Sequence, residues 1–194
     1  LTKDKLILHN ELSTLSLRIK RRLFLAASDA SDTRYGIVLF KTFWDIHENQ
    51  IQTFLPQDIV QTHLYIKSHI DVGETLAAVE TIQLLLKTLR QMNISINSDD
   101  LILIAIDNQP AGRALAKRWS GNSETDLLCD RLNQLISPKN LAIVDIDTSL
   151  NVADSPSRGD LSLSPFRYSA TFNTLIEAYK QYSKGFTWIE RPVA

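Results

Sequence analysis

The sequence contains a single cysteine, Cys129, in 194 residues. One cysteine excludes an internal disulfide and suits a reducing compartment, so an intracellular location, cytoplasmic or nuclear, is expected. Long apolar runs are missing as well. None reaches the roughly 18 residues that a membrane-spanning helix needs, and nothing at the N-terminus resembles a secretory leader. Nor is there an excess of charge of either sign, since 21 Lys and Arg stand against 22 Asp and Glu, a formal net charge of −1. A free-standing nucleic-acid binder is usually basic. Attraction to a polyanion would therefore have to come from local basic groups, bound metal or a neighbouring domain. Internal repeats and low-complexity segments are absent. The rest is ordinary for a globular protein: 44% hydrophobic and 22% charged residues, and a length that buries a substantial core in one domain with appendages. The chain opens on Leu1 rather than methionine, as a fragment or trimmed chain would.

Residues 1–20 place Leu6, Leu8, Leu12, Leu15, Leu17 and Ile19 among polar residues, best read as an amphipathic helix that connects to a neighbour or caps a sheet. RRLFLAASDA (21–30) and RYGIVLFKTF (34–43) predict two strands, and the turn formers SDT (31–33) between them predict an antiparallel hairpin. QIQTFLP (50–56) predicts a third strand, stopped by Pro56, that completes a meander. From Asp71 the period changes: Leu76, Val79, Leu84, Leu86 and Leu89 fall on a largely buried helix, ended by SDD (98–100). LILIAID (101–107) is a continuous apolar run, the pattern of a strand covered on both faces. Helices over 108–120 and 123–137 come next, with Ser123 as the N-cap of the second and Asp126 completing a capping box. NLAIVDID (140–147) predicts another strand, 151–165 a loop with a helical turn, 171–183 a last helix and 185–194 a tail. The order predicts an α/β architecture, a mixed five-stranded sheet of three antiparallel strands and then parallel ones, flanked by helices.

In such sheets function gathers at the carboxyl ends of strands. Asp29 closes the first predicted strand and Asp107 the fourth, and right-handed crossovers bring those strands side by side. Two adjacent carboxylates repel and raise each other's pKa unless a cation lies between them, and an all-oxygen ligand set suits Mg2+ or Mn2+. Glu74, in the first turn of the long helix, and Asp154, just past the last strand, are candidate third and fourth ligands of a two-metal site. Singly, each has a plainer explanation. An aspartate at a strand end serves turns and caps, and a glutamate in a first helical turn complements the helix dipole. Asp32 competes with Asp29 but sits in the turn. Asp145 and Asp147, alternating with Val144 and Ile146, are expected to face solvent.

Four segments together match one family. SDASDTRYGIVLF (28–40), SHIDVGETLAAVETI (68–82), IAIDNQPAGRALAKRWSGNSETDLLCDRL (104–132) and NVADSPSRG (151–159) resemble, in this order, the motifs of the ribonuclease H family. Within it, the chain resembles the domains attached to retroelement reverse transcriptases, with tyrosine-recombinase elements the nearest in flavour. The match covers roughly residues 22–160. It implies a ribonuclease H-like fold over 21–160, with 1–20 as a connection and 161–194 packed on the same domain. It also implies that Asp29, Glu74, Asp107 and Asp154 are four catalytic carboxylates holding two Mg2+ (or Mn2+) ions. The implied reaction is hydrolysis of the RNA strand of an RNA–DNA hybrid, leaving a 3′-hydroxyl and a 5′-phosphate. A reverse transcriptase or another domain of a larger chain is the implied partner, with no membrane involved. Such a hybrid displays 2′-hydroxyls across a wide, shallow minor groove, which is how a protein tells RNA from DNA.

Ser31, Asn108, Asn151 and Arg158 stand inside the matching motifs and are candidate substrate-binding residues. Arg113, Lys117, Arg118 and Trp119 form the nearest basic group. Arg113 and Lys117 share a helix face and could hold phosphates, with Trp119 stacking, where the plainer reading is a solvated face. Two features depart from the family. Cellular members carry a histidine in the loop before the fourth carboxylate, whereas DTSLNVADS (147–155) has none, and His9, His47, His63 and His69 lie elsewhere. The basic protrusion of some cellular enzymes is also not evident. Among other chemistries of this fold, proofreading-type exonucleases carry D-x-E in the first strand, but Ala30 and Ser31 follow Asp29. Transposases and integrases place their glutamate last, but Glu74 comes second. A catalytically inactive module, acting as a scaffold or nucleic-acid clamp, would have lost a carboxylate. All four are present, and the near-neutral charge is what speaks for it.

Overall fold

The sheet is organised around β1 (Arg22–Ala30), in which every residue after Arg22 is buried. The computed structural model describes residues 20–66, 69–182 and 186–192, so the helix expected over 1–20 lies outside the described residues except for Lys20. β2 (Arg34–Asp45) runs antiparallel to β1, with Asp29 opposite Gly36. Two short strands share the far side of β2: β3 (Gln50–Thr53) pairs with its C-terminal part and β4 (Ile59–Leu64) with its N-terminal part, both antiparallel. On the other side of β1, β5 (Asp100–Ile106), β6 (Leu141–Asp145) and β7 (Trp188–Ile189) are added in parallel. The order β3-β2-β1-β5-β6-β7, with β4 also on β2, is the expected mixed sheet of antiparallel and then parallel strands, with two strands more than expected.

The two extra strands are the ones with little periodic signal. β4 reads IVQTHL and is half-buried to exposed throughout, so no alternating apolar face marks it. β7 is two residues long. Helix α1 (Ile70–Gln91) matches the expected buried helix, and α2 (Gln109–Lys117) and α3 (Ser123–Leu135) match the expected pair. The cap of α3 is Asn122 rather than Ser123: the Asn122 Oδ1 accepts from the Glu124 and Thr125 backbone N–H groups, while Asp126 accepts from Ser120. The last helix, α5 (Pro165–Tyr182), starts six residues before the expected 171. Ser164 and Pro165 explain the earlier start. Ser164 Oγ accepts from the Arg167 N–H, and proline at the first helical position loses no intrahelical hydrogen bond. A short helix α4 (Asp154–Ser157) forms the expected turn in the loop before it.

Helices cover both faces. Phe24 and Ala26 of β1 join Val79, Ile82 and Leu85 of α1, Leu115 of α2 and Leu132 of α3 in one core. Leu23, Leu25 and Ala27 point the other way and join Leu175 and Ala178 of α5, so the C-terminal helix packs on the same sheet as the motif-bearing region. No helix among the described residues is long and apolar enough to cross a membrane.

α4 lies unusually close to the sheet. A Cβ placed on Gly36 would fall on the α4 backbone, 2.7 Å from the Pro156 carbonyl carbon and 2.9 Å from the Ala153 oxygen. A glycine inside a strand commonly marks such an approach. Gly36→Ala should therefore cost about 1–3 kcal/mol, as overpacking does, and lower the melting temperature by several degrees. An unchanged melting curve would show that α4 can lift off β2 freely.

Candidate metal centre

Asp29, Glu74 and Asp107 meet at the carboxyl end of β1 and β5. Asp29 is the last residue but one of β1, Asp107 comes directly after β5, and Glu74 lies one turn into α1. Each offers an oxygen within 4.8 Å of those of the other two. Asp29 and Glu74 are buried and Asp107 is half-buried. The sequence pattern accounts for this meeting. Two apolar strands in parallel register, Ala27 beside Ala105, bring their trailing aspartates to one level, and α1 crosses that end of the sheet with its N-terminal turn.

Burial, reinforced by the Asp29 and Asp107 charges, pushes Glu74 up to about 10. Burial and the Asp107 charge push Asp29 up to about 7, although a hydrogen bond from Ser157 Oγ (2.9 Å to Oδ2) favours its ionised form. Asp107 is also raised by burial, against hydrogen bonds from Thr148 and Asn151. No arginine or lysine forms an ion pair with these three among the described residues. Two other buried acids are treated differently. Asp100 is gripped by Arg22 (2.7 Å) and Asp145 by Arg191 (2.9 Å). Asp145 thus corrects the expectation that it faces solvent: it is buried in β6, and Gln109 donates to it as well (3.1 Å). Asp147 is exposed as expected.

Asp154 stands at the start of α4, outside the three-carboxylate cluster. Its Oδ2 accepts from Arg167 (2.7 Å) and its Oδ1 from Arg158 (3.3 Å). Burial would raise it, but the two arginines more than offset this and hold it below the ordinary carboxylate range. Its charge still reaches Asp107. Ser157 ties the two parts together, because its Oγ is also 2.6 Å from the Asp154 carbonyl.

The candidate substrate residues divide. Arg113, Lys117 and Trp119 line one groove of about 380 Å³ with His69, Asp71 and Thr75 of the α1 N-terminus. Trp119 is exposed, and Arg113 reaches Glu190 at 3.1 Å. Arg118 does not join them. It is the left-handed C-cap of α2, with φ of 63°, and its Nη1 donates to Asn133 and to the Ile136 carbonyl. Asn108 caps α2 and donates to Asp71 (2.9 Å). Asn151 is fully buried, donates to the Ser28 carbonyl and accepts from the Ala153 N–H, and it favours the ionised form of Asp107. Ser31 and Arg158 line a second, open depression on the β1–β2 turn. Of the histidines, His69 caps α1, His63 stacks on Tyr35 at 5.1 Å, and His9 lies outside the described residues. Three further residues bear on the site without having been expected there: Ser157, Thr148 and Arg167. Ser157 lies in the SPSR run of the fourth motif, whereas Thr148 and Arg167 carry no sequence signal.

The donor set fits a hard divalent cation. It is all carboxylate oxygen, its members are mutually repelling, and Glu74 Oε2 is buried with no hydrogen-bond partner among the described residues. No protein-family model matches the chain, and no curated protein matches it. Solved structures similar to it include RNase H1 from the halophilic archaeon Halobacterium salinarum NRC-1 (12% identity, 66% of this chain and 87% of that chain covered, TM-score 0.43). LC11-RNase H1 in complex with an RNA/DNA hybrid is similar at 12% identity, 73% and 96% coverage and TM-score 0.47. The foamy viral protease-reverse transcriptase in complex with an RNA/DNA hybrid is similar at 12% identity and TM-score 0.38, with 79% of this chain covering 21% of that one.

The raised carboxyl groups make metal-free stability depend on pH. Between the ordinary carboxylate value near 4 and the raised values, about 7 for Asp29 and about 10 for Glu74, the folded state binds more protons than the unfolded chain. Their contribution is thus fully present below that window and is lost as pH rises through it. In a chelator, the melting temperature should fall from about pH 5 to about pH 10, and less steeply in Glu74→Gln. Equal slopes for the two proteins would mean that the cluster does not titrate as a unit.

Proposed function

We propose that the chain is a metal-dependent endoribonuclease that cleaves the RNA strand of RNA–DNA hybrids, as the ribonuclease H domain of a reverse-transcribing element. The observation that carries this reading is the cluster of Asp29, Glu74 and Asp107, gathered where two parallel strands end with no ion-paired arginine or lysine among the described residues. These residues, with Asp154 as the fourth, would hold Mg2+ or Mn2+, as two ions. Bound divalent ions supply activation of a water for in-line attack and stabilisation of the leaving oxygen. The chain's own residues do the remainder. Ser157, Thr148 and Asn151 fix the orientation of Asp29 and Asp107. Arg113 and Lys117 offer phosphate contacts in the groove at the α1 N-terminus, and Trp119 offers an aromatic face. The resemblance of the motifs, rather than the likeness to solved structures, is what selects an RNA–DNA hybrid and a reverse transcriptase neighbour.

Asp107→Asn tests the reading. It should abolish cleavage of a labelled hybrid in Mg2+ or Mn2+ and melt at or above the wild-type temperature in chelator, because it removes the charge that acts unfavourably on both Asp29 and Glu74. Cleavage at the wild-type rate would end the assignment. Binding should also be weak. With a net charge of −1 and about three or four phosphate contacts, affinity measured in Ca2+ should be about micromolar or worse and fall only gently with salt. A tethered partner would raise the effective concentration. Nanomolar binding by this chain at physiological salt would instead reveal a basic surface outside the groove.

A further inference from the structure

Arg167 belongs to α5, beyond the motifs that match the ribonuclease H family, yet it reaches back to a residue inside them. Its Nη1 lies 2.7 Å from Asp154 Oδ2, and the two side chains are only 29% and 14% exposed. Arg158 takes the other carboxylate oxygen at 3.3 Å from a side chain that is 69% exposed. Both oxygens of Asp154 thus face guanidinium groups. The Asp154 backbone is nevertheless tied to Asp29 through Ser157, and its charge acts on Asp107. The carboxylate is at the edge of the metal centre and already engaged. Guanidinium binds phosphate with the same paired geometry as carboxylate. The surroundings suit an incoming strand: Phe166, next to Arg167, is exposed, and the Arg34 side chain lies against Gly159, next to Arg158.

We propose that Arg167 is a positioning residue that holds Asp154 in reserve. In the free protein it occupies the carboxylate. When a strand binds, a backbone phosphate takes the guanidinium in exchange and Asp154 is freed to complete the metal site. The inference rests on the metal-centre reading above. It makes metal and Arg167 competitors in the free protein, and makes phosphate and metal cooperative in the loaded one.

The full chain is titrated with Ca2+ while its melting temperature is followed, as wild type, Arg167→Gln, Asp154→Asn and the double variant. Arg167→Gln retains most of the side-chain stem; should it fail to fold, Arg167→Lys is used, which keeps the charge but loses the planar guanidinium. The Ca2+ concentration at half of the melting shift should drop roughly three- to tenfold in Arg167→Gln, as expected for releasing a partly exposed ion pair. The drop should be smaller in Arg167→Lys and absent when Asp154 is already asparagine. Binding of a hybrid in Ca2+ should weaken in Arg167→Gln, with its salt slope reduced by about one contact. A half-point equal to or above that of wild type overturns the inference, as does the same effect in the Asp154→Asn background. Asp107→Asn separates the two levels. If no protein responds to Ca2+ or Mg2+, the metal centre itself is wrong. If Asp107→Asn abolishes the response and Arg167→Gln leaves its half-point unchanged, only the role of Arg167 is wrong.

Discussion

Three carboxylates held within 4.8 Å of one another cannot all be charged in a buried place unless a cation joins them. The rest of the structure makes this conflict possible and does not relieve it. β1 and β5 are apolar and buried on both faces, so their parallel pairing is strongly fixed, and the aspartates that end them have no freedom to separate. α1 is fixed against the same sheet through Val79, Ile82 and Leu85 and delivers Glu74 to the same point. The core thus supplies the stability against which the acids are gathered. The contrast within the molecule is informative, because Asp100 and Asp145, buried at least as deeply, each have an arginine. Those two acids are neutralised by a guanidinium, whereas no arginine or lysine among the described residues forms an ion pair with the three at the strand ends.

How legible a feature is in the sequence depends on whether its cause is local. Asp29 and Asp107 can be placed because each trails an apolar run, and strand pairing then fixes where they meet. Glu74 needs the motif, since helical periodicity alone does not say which end of the sheet α1 crosses. Asp145 defeats a local reading because its partner, Arg191, lies 46 residues further on, in a tail with no pattern. Arg118 shares a run of basic residues with Arg113 and Lys117, but the left-handed backbone at the end of α2 turns it toward α3. Periodicity carries no information on such a reversal. β4 escapes notice because a half-exposed edge strand has no apolar face to alternate.

The same distinction governs the charge balance. A net charge near zero hides an uneven distribution: acids concentrate where the strands end, while Arg113 and Lys117 lie in the groove beside α1, and Arg158 and Arg167 lie on the opposite side of the cluster, around α4. Two separate basic borders thus flank an acidic centre, and charges so distributed act at short range without producing a long-range field.

β7 has one more consequence. Without it, the parallel strand β6, buried along its whole length, would offer an open row of backbone donors and acceptors at the margin of the sheet, the template on which chains join edge to edge into aggregates. Trp188 and Ile189 cover part of that row. Glu190 and Arg191 come next, and then Pro192, which has no N–H to donate. The last strand is too short, too charged and too soon ended by proline to pass the pairing on to a neighbour. On this side, the residues that anchor Asp145 also stop the sheet from growing.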